Sequence, residues 1–210
     1  MKIIVFGASG KTGHEVVQLA LQNGHDVTAF VRNPSRLNIV HDHLHITTGD
    51  ITDYEQVAVS MIGKEAVISA LGATSPFKYD QDVVDGVGNI IRAMEVKDVR
   101  RFIYMSFVGV KESRHSAGLV IRYIAPRLLS TEIKGHEQRE NLIRNSTLDY
   151  TIVRSPTLTN GKQTAQYKTG EELSKKGFIN SISRADVAHF LVQQLTDVTY
   201  LKKAPRIMYA

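Results

Sequence analysis

The sequence predicts an α/β fold, a doubly wound parallel sheet in one domain spanning 1–210, with a small C-terminal region on the substrate side. Three observations predict it. Met1-Lys2-Ile3-Ile4-Val5-Phe6 is an apolar run closed by a glycine, the pattern of a strand buried on both faces. Gly7-Ala8-Ser9-Gly10-Lys11-Thr12-Gly13 follows it and leads straight into a helical pattern. Strand, glycine turn and helix thus stand in the order that a phosphate-binding turn requires. Strand and helix patterns then alternate as far as Met105, which implies right-handed βαβ units and so a parallel sheet.

In the first helix Val16, Val17, Ala20 and Leu21 share a face, and Asn23-Gly24 supplies the stop. Asp26 to Val31 reads as the second strand, and His43 to Thr48, closed by Gly49-Asp50, as the third. Asp53 to Met61 is a short helix, and Ala66 to Leu71, ending at Gly72, is the fourth strand. Ala73 to Tyr79 reads as a loop. Asp80 to Lys97 is a long helix whose apolar stripe is Val83, Val84, Val87, Ile90, Ile91 and Met94. The fifth strand is Arg101 to Met105, ending at Ser106. Pro126 suits the first turn of a further helix, and Glu112 to Ala125 before it reads as a substrate-side loop. Tyr150 to Val153 is a sixth strand. Gly161 to Gly177 is polar and suits a loop or small hairpin. Ser183 to Thr196 is a helix, and Arg206 to Tyr209 is the last strand.

Composition narrows the function classes. Apolar content is 42% and charged content 22%, ordinary for a globular protein, and no run approaches the roughly 18 apolar residues of a membrane span. No signal peptide precedes the first strand, so a cytoplasmic location is expected. There is no cysteine, hence no thiol nucleophile, disulfide or thiolate metal site. The net charge of +5 suits anionic ligands. Basic residues are dispersed and not interleaved with aromatics, so no nucleic-acid partner is expected. His41, His43 and His45 alternate and could share a face of an extended segment. No carboxylate completes an obvious metal set, so they read as a solvated face at the sheet edge. A monomer and a homodimer are equally compatible with the sequence.

The glycine turn carries the chemistry. Its spacing is G-x-x-G-x-x-G, and a nucleotide-triphosphate P-loop would need a glycine where Val5 stands. A dinucleotide-binding unit of Rossmann type places the end of its second strand beside the adenosine ribose. An acid about 20 residues past the glycines would there accept from the 2′-hydroxyl of NAD. Arg32 holds that place, 19 residues after Gly13, with Arg36 behind it. A guanidinium suits a 2′-phosphate, so the cofactor expected is NADP(H).

The sequence resembles the atypical short-chain dehydrogenase/reductases with an NAD(P)H-binding domain, the group of the NmrA-like proteins and of biliverdin reductase B, or flavin reductase. The resemblance covers nearly the whole chain. It rests on Gly7 to Gly13, Val31 to Leu37, Gly49-Asp50, Leu71-Gly72, Leu148 to Arg154 and Ile182-Ser183-Arg184-Ala185-Asp186-Val187-Ala188. It implies a Rossmann fold with NADP on Gly7, Ser9, Gly10, Lys11, Thr12 and Gly13, the 2′-phosphate on Arg32 and Arg36, and the adenine bordered by Asp50 and Ile51. Leu71, Gly72 and Ser106 would line the nicotinamide half. The Ser183-to-Asp186 segment is expected to be structural, placing the late helix.

Departures from the family pattern bear on the reaction. The wider superfamily pairs a tyrosine acid with a lysine four residues on. Counting back from Leu148-Asp149-Tyr150, those places hold Glu132 and His136. Tyr123 and Arg127 have the spacing, but Pro126 between them disfavours a shared helical face. Ser106 is followed by Phe107, where many members carry a second serine. Two functions fit. One is an NADPH-dependent reductase of a flavin, quinone or similar conjugated small molecule, with Ser106 as a hydrogen-bond donor and His136 as a proton shuttle. The other is a non-catalytic, NADP(H)-binding redox sensor of the NmrA-like kind.

Overall fold

A computed structural model describes residues 1–72, 79–110, 130–173 and 180–209. Its main sheet has eight strands in the order β3-β2-β1-β4-β5-β6-β10-β8. These are β1 (Lys2–Phe6), β2 (Asp26–Val31), β3 (Leu44–Thr48), β4 (Ala66–Ser69), β5 (Arg101–Phe107), β6 (Asp149–Ser155), β8 (Lys168–Gly170) and β10 (Arg206–Met208). All pairings are parallel except that of β8 with β10 at the far edge. The order reverses at β1, where β2 and β4 lie on either side. That is the switch point at which doubly wound sheets open a crevice at the carboxyl ends of their strands.

Two apolar layers cover the sheet, and strand alternation assigns each side chain to one of them. Ile3, Val5, Val27, Ala29, Ile68, Ile103 and Val153 pack under α1 (Lys11–Gln22) and α5 (Arg184–Gln193). Ile4, Phe6, Val67, Phe102 and Ile152 pack under α2 (Tyr54–Ser60), α3 (Gln81–Val96) and α4 (Ser130–Arg144). The expected stripe of α1 is buried, and α3 buries Val83, Val84, Val87, Ile90, Ile91 and Met94 as expected. Asp53 caps α2, its side chain accepting from the Gln56 amide at 3.1 Å.

Several boundaries differ from the sequence expectation. β5 runs on through Ser106 to Phe107, and β6 starts at Asp149 and continues to Ser155, because the two pair residue for residue along seven positions. The start of a helix near Pro126 and the loops from Ala73 to Lys78 and Glu112 to Ala125 lie outside the described residues. β3 begins only at Leu44, so His41 and His43 sit in the preceding turn rather than on a shared strand face. There the His41 ring accepts from the His43 amide at 3.1 Å, and His43 Nδ1 meets Asp26 Oδ1 at 2.6 Å. Of the stretch expected as a loop or small hairpin, Gly161 to Leu173 is described and the rest lies outside the described residues. In the described part, β8 pairs antiparallel with β10. Past β6, Pro156 has no N–H to continue the ladder, and β7 (Thr157–Thr159) leaves to form a two-stranded parallel sheet with β9 (Ser181–Ser183).

The Ser183-to-Asp186 segment places α5. The Ser183 side chain accepts from the Asp186 amide at 3.0 Å, capping the helix. Fully buried Asp186 accepts from the Thr164 and Ala165 amides, both at 2.8 Å, from the Ser183 hydroxyl at 2.9 Å and from the Tyr209 hydroxyl at 2.6 Å. At the other end of α5, the Arg101 guanidinium donates to the Gln194 carbonyl at 2.9 and 2.6 Å and to the Asp149 carbonyl at 2.8 Å. It therefore ties the helix C-terminus, where a cation is favoured, to β5 and β6. Burial pushes the Asp186 carboxyl up, but the hydrogen bonds it accepts outweigh burial and hold it below the usual carboxylate value. Its ionised form therefore stabilises the fold at neutral pH, and that contribution is lost as pH falls through the lowered value. Asp186→Asn turns an amide toward donors that need an acceptor. Urea denaturation should show it costing about 1–3 kcal/mol at neutral pH, with a smaller loss on acidification than in the parent.

Candidate nucleotide site

The glycine turn is shaped by contacts that exclude any side chain at two of its positions. Gly7 has φ +76°, in the left-handed region, and a Cβ there would lie 2.8 Å from the Ala70 carbonyl of the β4 end. A Cβ on Gly13 would lie 2.0 Å from the Gly7 oxygen. The first turn of α1 is therefore seated directly on the loop. Gly10 N–H donates back to Gly7 O at 2.9 Å, closing the turn. Gly10 is the N-cap of α1, with no side-chain cap and no acid in the first turn. The helix start thus keeps its free N–H groups and its positive dipole end for a ligand.

The turn opens onto a cleft of about 530 Å³ at the carboxyl edge of the sheet. Gly7, Ser9, Gly10, Arg32, Arg36, Asp50, Ile51, Leu71 and Gly72 line it, nine of the residues singled out in the sequence. Lys11 faces a neighbouring cavity, and Thr12 and Gly13 are buried within the first turn. The Asp50–Ile51 end of the cleft is firmly built. The Asp50 amide donates to Gln56 Oε1 at 2.9 Å, and Asn89 Nδ2 donates to the Ile51 carbonyl at 3.0 Å. Gly86 of α3 has no side chain where Ile51 Cδ1 would sit 2.5 Å from a Cβ, so α3 closes onto Ile51. The Asp50 carboxylate accepts from the Thr52 amide at 2.9 Å and the Thr52 hydroxyl at 2.8 Å. These bonds, with a smaller contribution from Arg32, hold it below its ordinary value.

Ser106 lies beyond this cleft, only 2% exposed, on the face of β5 beneath α4. The register sets it opposite Arg154 of β6, and Glu140 of α4 comes down between them. Ser106 Oγ donates to Glu140 Oε1 at 2.7 Å. Arg154 Nε donates to Glu140 Oε1 at 3.0 Å and Arg154 Nη2 to Glu140 Oε2 at 2.7 Å, a bidentate pair. Glu140 and Arg154 are 0% and 1% exposed. The donor role expected of Ser106 thus meets a competing acceptor, since its one hydroxyl hydrogen is engaged by a buried carboxylate. His136, one turn before Glu140, is 8% exposed. Its Nδ1 is 3.4 Å from Ser106 Oγ, and its ring centroid lies 6.2 Å from that of Phe107.

Residues the sequence reasoning missed include Phe30, Tyr79 and Asp80 on the cleft wall, and the Glu140–Arg154 pair behind Ser106. The pair left a signal. Arg154 continues the apolar strand Tyr150 to Val153, and a charge in a buried strand demands a partner. The Tyr79 hydroxyl donates to the Gln138 side-chain oxygen, which ties the start of α3 to α4. Among the described residues no group of three or more His, Asp or Glu is gathered to hold a metal ion, and no helix is long and apolar enough to cross a membrane.

Comparison with known proteins agrees with this geometry. The UPF0659 protein YMR090W of Saccharomyces cerevisiae is 30% identical over 211 residues, covering 93% of this chain and 87% of the yeast protein. The oxidoreductase ylbE of Lactococcus lactis superposes with a TM-score of 0.86 at 20% identity, over 100% of this chain and 91% of its own. A short-chain dehydrogenase/reductase of Veillonella parvula, solved in complex with NADP, superposes with a TM-score of 0.79 at 21% identity, over 99% and 94% of the two chains. These two share the Rossmann-type α/β fold. The family model described as NAD(P)H-binding matches residues 7–198, from the first glycine of the turn to beyond α5, and the chain belongs to that family.

Proposed function

We propose that the chain is an NADPH-dependent oxidoreductase whose hydride acceptor is a flat conjugated molecule of the flavin or quinone type. The observation that carries this reading is the engagement of the Ser106 hydroxyl by Glu140, itself gripped by Arg154. Reduction of a simple carbonyl gains about 10²–10⁴-fold from an acid held at the carbonyl oxygen. Here the tyrosine and lysine positions hold Glu132 and His136, the Ser106 proton is committed, and the Tyr79 hydroxyl is donated to Gln138. A flavin or quinone spreads the incoming electron pair over its rings and takes its proton from water.

The bound cofactor supplies the hydride, two electrons and a proton leaving the reduced nicotinamide together, and the acceptor gains them with one further proton from solvent. The chain's own residues bind and orient. The Gly7 turn and α1 start take the pyrophosphate. Arg32 and Arg36 take the 2′-phosphate, Asp50 and Ile51 border the adenine, and Leu71 and Gly72 flank the nicotinamide half.

Three outcomes test the proposal. Purified protein with NADPH and a panel of FMN, riboflavin, quinones and dichlorophenol-indophenol should oxidise NADPH with at least one acceptor. Tight binding with no oxidation anywhere on the panel would assign the chain a sensor role instead. Arg32→Ala should weaken NADPH binding by about 1.5–3 kcal/mol and leave NADH binding unchanged, as read by fluorescence titration. Ser106→Ala should lower the turnover with the best acceptor by less than about tenfold, whereas loss of a dedicated acid costs about 10²–10⁴-fold.

A further inference from the structure

Lys11 is the first residue of α1 and Arg184 the first of α5. A cation at a helix start opposes the helix dipole, which favours anions there, so neither charge is placed for the benefit of its own helix. Both nevertheless line one cavity of about 470 Å³ on the outer side of the glycine turn. Ser9, Gly10 and Arg36 line this cavity and the nucleotide cleft alike, so the two spaces share a wall. His14 adds a further nitrogen to the lining, and Glu15 is the carboxylate there.

Arg184 is held at this cavity by a chain of contacts that begins at Asp186. Buried Asp186 gathers the Thr164 and Ala165 amides and the Thr164 hydroxyl at 2.8 to 3.0 Å, fixing that loop against the start of α5. Asn160, earlier in the same connection, accepts from Arg184 Nη1 at 2.6 Å. A guanidinium has five donors in a planar fork, so this one bond orients Arg184 and leaves further N–H groups for a ligand.

We propose that Arg184, together with Lys11 and Arg36, completes the subsite for the ribose 2′-phosphate of NADP(H) from the outer side of the glycine turn. The proposal rests on the NADPH preference argued above and adds to it a specificity-determining residue from the C-terminal part of the chain. The shared wall carries the assignment. A phosphate on Arg36 stands between the two spaces, with Arg32 on the cleft side and Lys11 and Arg184 on the other. A dianion so placed meets charge-assisted donors from three separate segments.

The test is the dissociation constant of NADPH and of NADH, with inorganic phosphate as competitor, for the parent, Arg184→Gln, Arg184→Lys and Asn160→Ala. Arg184→Gln should weaken NADPH about tenfold or more while NADH stays within about twofold. Arg184→Lys should recover part of the loss, and Asn160→Ala should fall between parent and Arg184→Gln. Inorganic phosphate should compete with NADPH and leave NADH binding unchanged. An equal loss for both cofactors, or no loss for either, overturns the proposal. So does phosphate that binds alongside NADPH without competing, which would mark an independent anion site. A parent that prefers NADPH, with the preference intact in Arg184→Gln, sinks this inference alone. A parent with no preference sinks the NADPH reading beneath it. If Arg184→Gln does not fold by circular dichroism, Asn160→Ala and Lys11→Gln decide by the same ratio.

Discussion

The rest of the structure depends on the contact between Gly13 and the Gly7 carbonyl. A Cβ at Gly13 would stand 2.0 Å from that oxygen, far inside any real contact, so only two glycines let α1 sit directly on the turn. That seating aims the N-terminus of α1 at the carboxyl edge of the sheet, beside the point where strand order reverses. Gly7 also abuts Ala70 at the end of β4, which brings the Arg32–Ile51 and Leu71–Gly72 sides of the cleft together across one turn. The amides of the first turn of α1, after Gly10, are then open to a ligand, as they would not be in a helix capped by a side chain.

Buried charge does different work at Glu140–Arg154 and at Asp186. The Glu140–Arg154 pair joins α4 to β6 and takes the Ser106 hydroxyl as a third partner. A buried ion pair is weak evidence of net stabilisation, because desolvation consumes most of the Coulomb gain. Its consequence here is directional. The bidentate geometry leaves one orientation for the carboxylate, and that orientation decides where the Ser106 proton goes. Asp186 stabilises through number rather than charge pairing. Its two oxygens accept two amides and three hydroxyls from the 164–165 loop, Ser183 and Tyr209. The late helix, the loop before it and the end of the chain are thereby fixed to one another.

This second anchoring brings the C-terminal part of the chain to the glycine turn. The described part of the 157–183 stretch contributes short strands, each three residues long, and a loop tethered to α5 through Asp186, through Asn160 on Arg184 and through Tyr167 on His189. The polar contacts with α5 help fix its position, together with the ladders of β7 on β9 and β8 on β10. Because α5 packs on α1, the loop arrives beside the glycine turn. A motif that reads as a helix cap thus also carries Arg184 to the edge of the site.

The residue pattern determined whatever depends on near neighbours: the apolar strands, the glycine spacing, the stripes of α1 and α3, and the cap at Asp53. Those features are set by periods of two and 3.6 residues and by backbone sterics within a few positions. It also placed nine residues of the cleft, since a glycine turn after a first strand and cations after a second follow from the βαβ path. Tertiary structure alone decided the partners of buried polar groups and of short strands. Ser106, Glu140 and Arg154 are 14 or more positions apart, and only strand register and helix docking set a hydroxyl against one carboxylate. β7 and β8 lack the length to show a period, and each is defined by a partner more than 20 residues away. Their pairing energy is non-local, so no window of the sequence contains it.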